Sequence, residues 1–269
     1  MIETERIQHA LHAKTASYQR KIERAITTIH DMAQQQQIRW YCAYSGGIDS
    51  LVLLDLLYSL DYRIPVIWGD DGYDYHQTLH FLLATEERYH FMLTRVRSMD
   101  PWRDWCEEMG RPDLATDPEA LAAWGNPKIW HHTWRSLSKD APTLYDGVFL
   151  GMLGTSPKRG GESVTRQLQM RNGTRHTYQV VSEQNMWHCS PLAHLTKYDI
   201  WAYVVSRELP YNPVYDTLAT LGVPVRYRRV GPLTCFRTVQ YGSVVTLKAG
   251  WPAAYNRLAA TFPMVRSYG

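Results

Sequence analysis

The chain has 269 residues, with 45% hydrophobic and 20% charged residues and a formal net charge of +3, an ordinary balance for a globular protein with room for one sizeable core. A charge this small does not itself argue for a nucleic-acid partner, and no apolar run approaches the roughly 18 residues of a membrane span. Ten Trp and 18 Tyr against five Phe suit either an aromatic core or partly wet clefts. Cys42, Cys106, Cys189 and Cys235 form no C-x-x-C pair, which argues against a disulfide framework and against local zinc or iron–sulfur ligand pairs. The opening MIETERIQHALHAK lacks a secretory apolar core, so the expected location is cytoplasmic, away from membranes.

Residues 4–36 read as one long helix or two, with Ile7, Leu11, Tyr18, Ile22, Ile26 and Ile29 as an apolar stripe that packs on the main domain or pairs two copies of the chain. Strands are expected at 38–44, 64–70, 91–96 and 147–153, with shorter extended pieces at 177–181 and 186–192. Helices are expected at 50–60, 78–89 and 196–208, the last capped by Thr196 with Asp199 in its first turn. Strand and helix in alternation predict an α/β fold with a doubly wound, mostly parallel sheet. The Pro-punctuated stretch 98–142 reads as short helices, 154–175 as a loop, and 214–269 as a basic tail with one or two short helices. The domain reading is an N-terminal helical segment 1–36, a nucleotide-binding domain 37–213 and a small basic C-terminal subdomain 214–269.

Ser45-Gly46-Gly47-Ile48-Asp49-Ser50 joins the first apolar strand to an apolar helix. A strand-to-helix turn of this kind presents backbone N–H groups and a positive helix end to a phosphate. Glycine lets the oxygens approach closely, and Ser45 and Ser50 can donate hydroxyl hydrogen bonds. Asp49, a negative charge beside phosphates, fits a role in orienting the loop or holding Mg²⁺. No Gly-Lys-Ser/Thr follows, so this is not a Walker loop, and G-x-G-x-x-G is absent.

The six residues resemble the SGGxDS loop of the PP-loop ATP pyrophosphatase superfamily, and further matches narrow the resemblance to its phosphoadenosine phosphosulfate (PAPS) reductase-like branch. Residues 70–78, DDGYDYHQT, are similar to DTGYxFPET. Lys158-Arg159-Gly160-Gly161-Glu162-Ser163 with Arg166 is similar to GxRxxES..R. Ser190-Pro191-Leu192, Thr196 to Tyr203 and Leu209 to Tyr215 are similar to P-L-x-x-W-T-x-x-D-V-W-x-Y and LPxNPLY. The matches run over about residues 38–235. The resemblance implies an adenine nucleotide alpha hydrolase-like fold with the phosphates of ATP, or of PAPS or its relative adenylyl sulfate (APS), on Ser45, Gly46, Gly47, Asp49 and Ser50. It implies Asp70 and Gly72 beside the nucleotide, Arg159 and Arg166 as bidentate donors to an anion, and Glu162 holding an arginine or a metal. A solvated loop is the alternative for the two arginines.

The departures bear on the reaction. The reductase tail cysteine, in an ECGxH setting, has no counterpart in TFPMVRSYG, and the Arg-Val-Gly-Cys-x-x-Cys element of some relatives becomes Arg229-Val230-Gly231-Pro232-Leu233-Thr234-Cys235. Cys235 stands among Arg226, Arg228, Arg229 and Arg237, cations that would lower its thiol pKa; it is either a nucleophile or a buried structural cysteine. Arg228 and Arg229 are candidate phosphate clamps or a solvated turn, and the basic C-terminal half admits a polynucleotide partner through phosphate contacts. The leading expectation is cleavage of ATP between the α and β phosphates to adenylate an acceptor, with nucleic acid or a sulfur-donor protein as partner. Sulfonucleotide reduction and a nucleotide-binding module without turnover are the alternatives. His131 and His132, adjacent in sequence, read as structural.

Overall fold

A computed structural model of the 269-residue chain describes residues 3–70, 73–97, 113–117, 119–120, 144–153, 178–181, 186–230, 243–261 and 265–266. The expected segments 98–142 and 154–175, and His131 and His132, lie wholly or largely outside these residues.

The N-terminal segment is two helices, α1 (Glu3–His12) and α2 (Ala16–Ala33). Thr15 separates them. Its backbone is extended (φ −76°, ψ 140°) and its hydroxyl oxygen accepts from the Tyr18 N–H at 3.3 Å, a cap worth about 1 kcal/mol. The break resets the helical phase, so the single stripe expected across both helices does not hold. Tyr18, Ala25, Ile29 and Met32 are buried on α2, but Ile7 and Leu11 on α1 are 53% and 61% exposed. What α1 buries instead is His9, whose ring lies 4.6 Å from that of Tyr198 and 6.4 Å from that of Trp201.

All six expected extended segments are strands: β1 (Trp40–Ala43), β2 (Val66–Asp70), β3 (Leu93–Arg97), β4 (Gly147–Phe149), β5 (Tyr178–Val181) and β6 (Met186–Cys189). They form one sheet in the order β3-β2-β1-β4-β6-β5. β1 pairs in parallel with β2 and β4, β4 in parallel with β6, and β5 runs antiparallel along β6 at the edge. The chain therefore winds outward from β1 in both directions, and the order reverses between β1 and β4. In open α/β sheets ligands bind at such a switch point, beyond the carboxyl ends of the strands. Gly147 makes the β1–β4 pairing possible, because a Cβ there would stand 2.5 Å from the Trp40 ring.

The remaining helices among the described residues are α3 (Ile48–Ser59), α4 (His76–Tyr89), α5 (Lys197–Ser206), α6 (Val214–Thr220), α7 (Ser243–Gly250) and α8 (Pro252–Thr261), with a helical turn at Asp113–Thr116 and a 3₁₀ turn at Val225–Tyr227. Three α-helices in 214–269 exceed the one or two expected. α7 carries β-branched Val244, Val245 and Thr246, weak helix formers, and Pro252 at the first position of α8 reads as a breaker although it is suited to a helix start. α3 is apolar all round, with ten of its residues buried, as a helix covered on every side must be. Its buried Asp55 accepts from Tyr89 and Tyr203 at 2.7 Å each and pairs with Arg207 at 2.8 Å, tying α3 to α4 and α5.

The chain divides into two compact units, one of residues 1–68, 81–94 and 142–212, the other of 69–80, 95–141 and 213–269. The first holds α1–α3, α5, β1 and β4–β6. In the second, the Tyr75 and Trp251 rings lie 4.4 Å apart and Trp251 donates to Gln77 at 3.0 Å. Trp40, Trp68, Trp201 and Trp251 are buried, so among the described tryptophans the aromatic-core reading prevails over the wet-cleft one. Among the described residues no helix is long and apolar enough to cross a membrane.

Candidate functional site

The loop after β1 is built within the first unit. Gly46 has φ +71°, a left-handed conformation that costs a side-chain-bearing residue about 1–2 kcal/mol. Gly47 then caps α3 in extended geometry and has no side chain of its own to bond the first turn, at a helix start, where backbone N–H groups and the helix dipole favour an anion. The two serines brace the turn. Ser50 Oγ accepts from the Ser45 N–H at 3.2 Å, lies 3.1 Å from Ser45 Oγ and donates to the Gly47 carbonyl at 3.0 Å. Ser50 is buried while Ser45 is exposed. Holding the loop in shape is thus a role of both hydroxyls.

Three residues far along the chain fix the loop from outside, and the sequence reading assigned none of them to it. Gly151, just beyond β4, leaves no room for a Cβ, which would lie 2.8 Å from the Asp49 carbonyl carbon and from the Ser50 nitrogen. The fully buried Asn212 side chain donates to the Gly46 carbonyl at 3.4 Å. The Lys197 ammonium donates to both carboxylate oxygens of Asp49 at 2.8 Å each, with side-chain exposures of 18% and 29%. Lys197 falls at a position that the T-x-x-D-V-W resemblance leaves open. A signal was nevertheless present. A lysine at the first position of a helix opposes the macrodipole by about 0.3–1 kcal/mol, and such a cation implies an anionic partner.

α5 itself is firmly seated. Thr196 and Asp199 form a reciprocal capping box, and the Asp199 carboxylate also accepts from His12 and Lys21 at 2.7 Å each. Burial alone would raise the Asp199 pKa, but the bonds from Lys21, His12 and Thr196 outweigh it and bring the group down to about 2.

Asp70, at the end of β2, is buried and takes a hydrogen bond from Arg95 Nε at 2.7 Å, with Arg95 Nη2 also in contact. In the second unit Arg228 is buried and donates from Nε to the Val223 carbonyl at 2.7 Å. Its neighbour Arg229 lines a cavity of about 270 Å³ with Tyr75, Leu218, Leu221, Tyr227 and Thr246. Gly72, Arg159, Glu162, Arg166 and Cys235 lie outside the described residues. Cys42 and Cys189 are buried, and burial pushes the Cys42 thiol up to about 12 and Cys189 well above its usual range. Neither is a ready nucleophile at neutral pH.

Both Asp49 oxygens are engaged by an ammonium, and no group of three or more His, Cys, Asp or Glu side chains is placed to hold a metal among the described residues.

A doubly wound sheet with a glycine-built loop at its switch point defines an α/β protein of the adenine nucleotide alpha hydrolase-like class. The phosphoadenosine phosphosulfate reductase domain family matches residues 39–114 and 165–238, more than half of the chain, and the chain belongs to that family. A phosphoadenosine 5′-phosphosulfate reductase of Xanthomonas oryzae pv. oryzae (strain PXO99A) is 30% identical over 178 residues, 64% of this chain and 64% of that protein. An adenosine 5′-phosphosulfate reductase of Halalkalibacterium halodurans is 25% identical over 211 residues, 74% of this chain and 75% of that protein. The chain spans 64% of the length of the Xanthomonas relative and 39% of an uncharacterized Methanocaldococcus jannaschii protein to which it is 26% identical. The same fold occurs in the PAPS reductase of Candida auris (TM-score 0.52, 14% identity, 77% of this chain and 87% of that one). It occurs also in yeast FAD synthetase (TM-score 0.51, 16% identity, 79% and 69%).

Proposed function

We propose that the chain binds an adenine nucleotide with its phosphates on residues 45–50 and cleaves ATP between the α and β phosphates. An acceptor nucleophile attacks the α phosphorus, the bond to the α–β bridging oxygen breaks, and pyrophosphate leaves while the acceptor carries the adenylyl group. The observation that carries the reading is the loop itself: a positive-φ glycine, a glycine cap at the start of α3 and a lysine partner, set at the switch point of the sheet. Donors fixed before the reaction stabilise charge that develops on transferring phosphates. Mg²⁺ enters this proposal as an ion carried by the nucleotide's phosphate oxygens. Arg159, Arg166, Glu162, Gly72, Asp70 and the pair Arg228 and Arg229 remain proposed ligands of the nucleotide or of the acceptor. Nucleic acid or a sulfur-donor protein would be the acceptor or its supplier, and Ile7 and Leu11 are the residues a self-association through α1 would use.

Sulfonucleotide reduction is the second reading, favoured by the names of the 25–30% identical relatives. It needs a reactive thiol; Cys42 and Cys189 are buried, and the proposed nucleophile is Cys235, which stands among arginines in the sequence. One assay separates the readings. The protein is incubated with ATP and Mg²⁺ plus candidate acceptors, and in parallel with PAPS or APS plus a dithiol reductant. AMP-bearing product and pyrophosphate in the first arm, with no sulfite in the second, is the expected result. Sulfite release that Cys235→Ser abolishes would transfer the assignment to the reductase. Nucleotide binding without turnover in either arm would leave a binding module.

A further inference from the structure

The cation seated at the carboxylate of the phosphate loop is an ammonium. Lys197 Nζ is 2.8 Å from each oxygen of Asp49, and the pair is partly open to solvent at both ends. A lysine ammonium has three N–H donors. Two are engaged by Asp49, and among the described residues no other acceptor takes the third. Asp49 stands in the first turn of α3, two residues beyond the Gly47 cap, so the ammonium is tied to the first turn of the helix that the phosphate-loop reading assigns to the phosphates. A divalent ion on an Asp49 oxygen, at about 2.0–2.1 Å for magnesium, would have to use a lone pair that the ammonium leaves and would face its positive charge.

We propose that Lys197 is a direct ligand of the bound nucleotide's phosphates. Its third N–H goes to a phosphate oxygen while Asp49 anchors the other two. Asp49 is then a positioning residue for the lysine rather than the ligand of a metal, and Lys197 supplies part of the neutralisation that a divalent ion gives in other phosphate sites. The inference rests on the phosphate-loop reading and adds a named contact to it. It also carries a consequence that reading lacks: nucleotide binding that survives removal of divalent metal.

The test is calorimetric titration of the full chain with ATP, in excess EDTA and again with Mg²⁺. The proteins are the wild type, Lys197→Met and Lys197→Arg, with adenosine as the phosphate-free control and circular dichroism to confirm folding. Wild type is expected to bind ATP in EDTA. Lys197→Met is expected to lose about ten- to a hundredfold in affinity there, the effect of one charge-assisted hydrogen bond. Added Mg²⁺ should narrow the gap, Lys197→Arg should restore most of the affinity, and adenosine affinity should not move. Equal ATP affinities for wild type and Lys197→Met in EDTA would overturn the inference. So would wild-type binding that vanishes in EDTA and returns with Mg²⁺, an arm that needs no variant; both results leave the phosphate loop standing. Failure of wild type to bind ATP in either condition would remove the phosphate-loop reading, and the inference with it.

Discussion

Gly151 shows how much of the site lies in contacts between distant backbones. It belongs to none of the motifs that drew attention to the sequence, yet a single added carbon there would overlap the backbone of Asp49 and Ser50. Gly151→Ala is therefore expected to displace the loop. Titration with ATP should show at least about tenfold weaker binding, while overpacking should destabilise the fold by about 1–3 kcal/mol. Unchanged ATP affinity would mean that the loop's shape does not depend on its neighbour beyond β4. The glycines and serines of 45–50 were legible because they sit together in sequence. Lys197 and Asn212 were not tied to the loop, because 148 and 166 residues separate them from their partners and the sheet alone brings them together.

At the scale of elements, β1, β2 and β4 could be read from apolar runs because a parallel sheet buries both faces of its inner strands. The N-terminal helices were harder. Periodicity carried through Thr15 assigned Ile7 and Leu11 to the buried face, and the cap at Thr15 places them outside. Besides the ring contacts of His9, polar bonds fasten α1 and α2 to α5: His12 and Lys21 converge on Asp199. The folded Asp199 pKa, about 2, lies below the ordinary 3.8. A depressed carboxylate contributes stability that is full above its unfolded pKa and lost as pH falls through the folded one. The contribution should be about 2 kcal/mol at neutral pH and should disappear between about pH 4 and pH 2. Asp199→Asn is expected to lose about that much at pH 7 in urea unfolding and to show a flatter acid limb. An acid limb identical to that of the wild type would place the pH sensitivity elsewhere.

Over the whole molecule, the proposal that phosphates bind at residues 45–50 rests on the switch point of the sheet, the loop that follows β1 and the family membership. The doubly wound topology could be anticipated from strand and helix in alternation, but the place of its reversal, between β1 and β4, could not, since it depends on which strand pairs with which. The charge balance of the site was also only half legible in sequence, where Asp49 could be read beside the loop but its ammonium partner Lys197 could not. The direct test is an amide NMR titration of the ¹⁵N-labelled protein with ATP and, separately, with adenosine. The amides of Gly46, Gly47, Ile48 and Asp49 should shift saturably with ATP and stay in place with adenosine. ATP shifts that saturate elsewhere while these four amides do not move would contradict the assignment of the phosphates to residues 45–50.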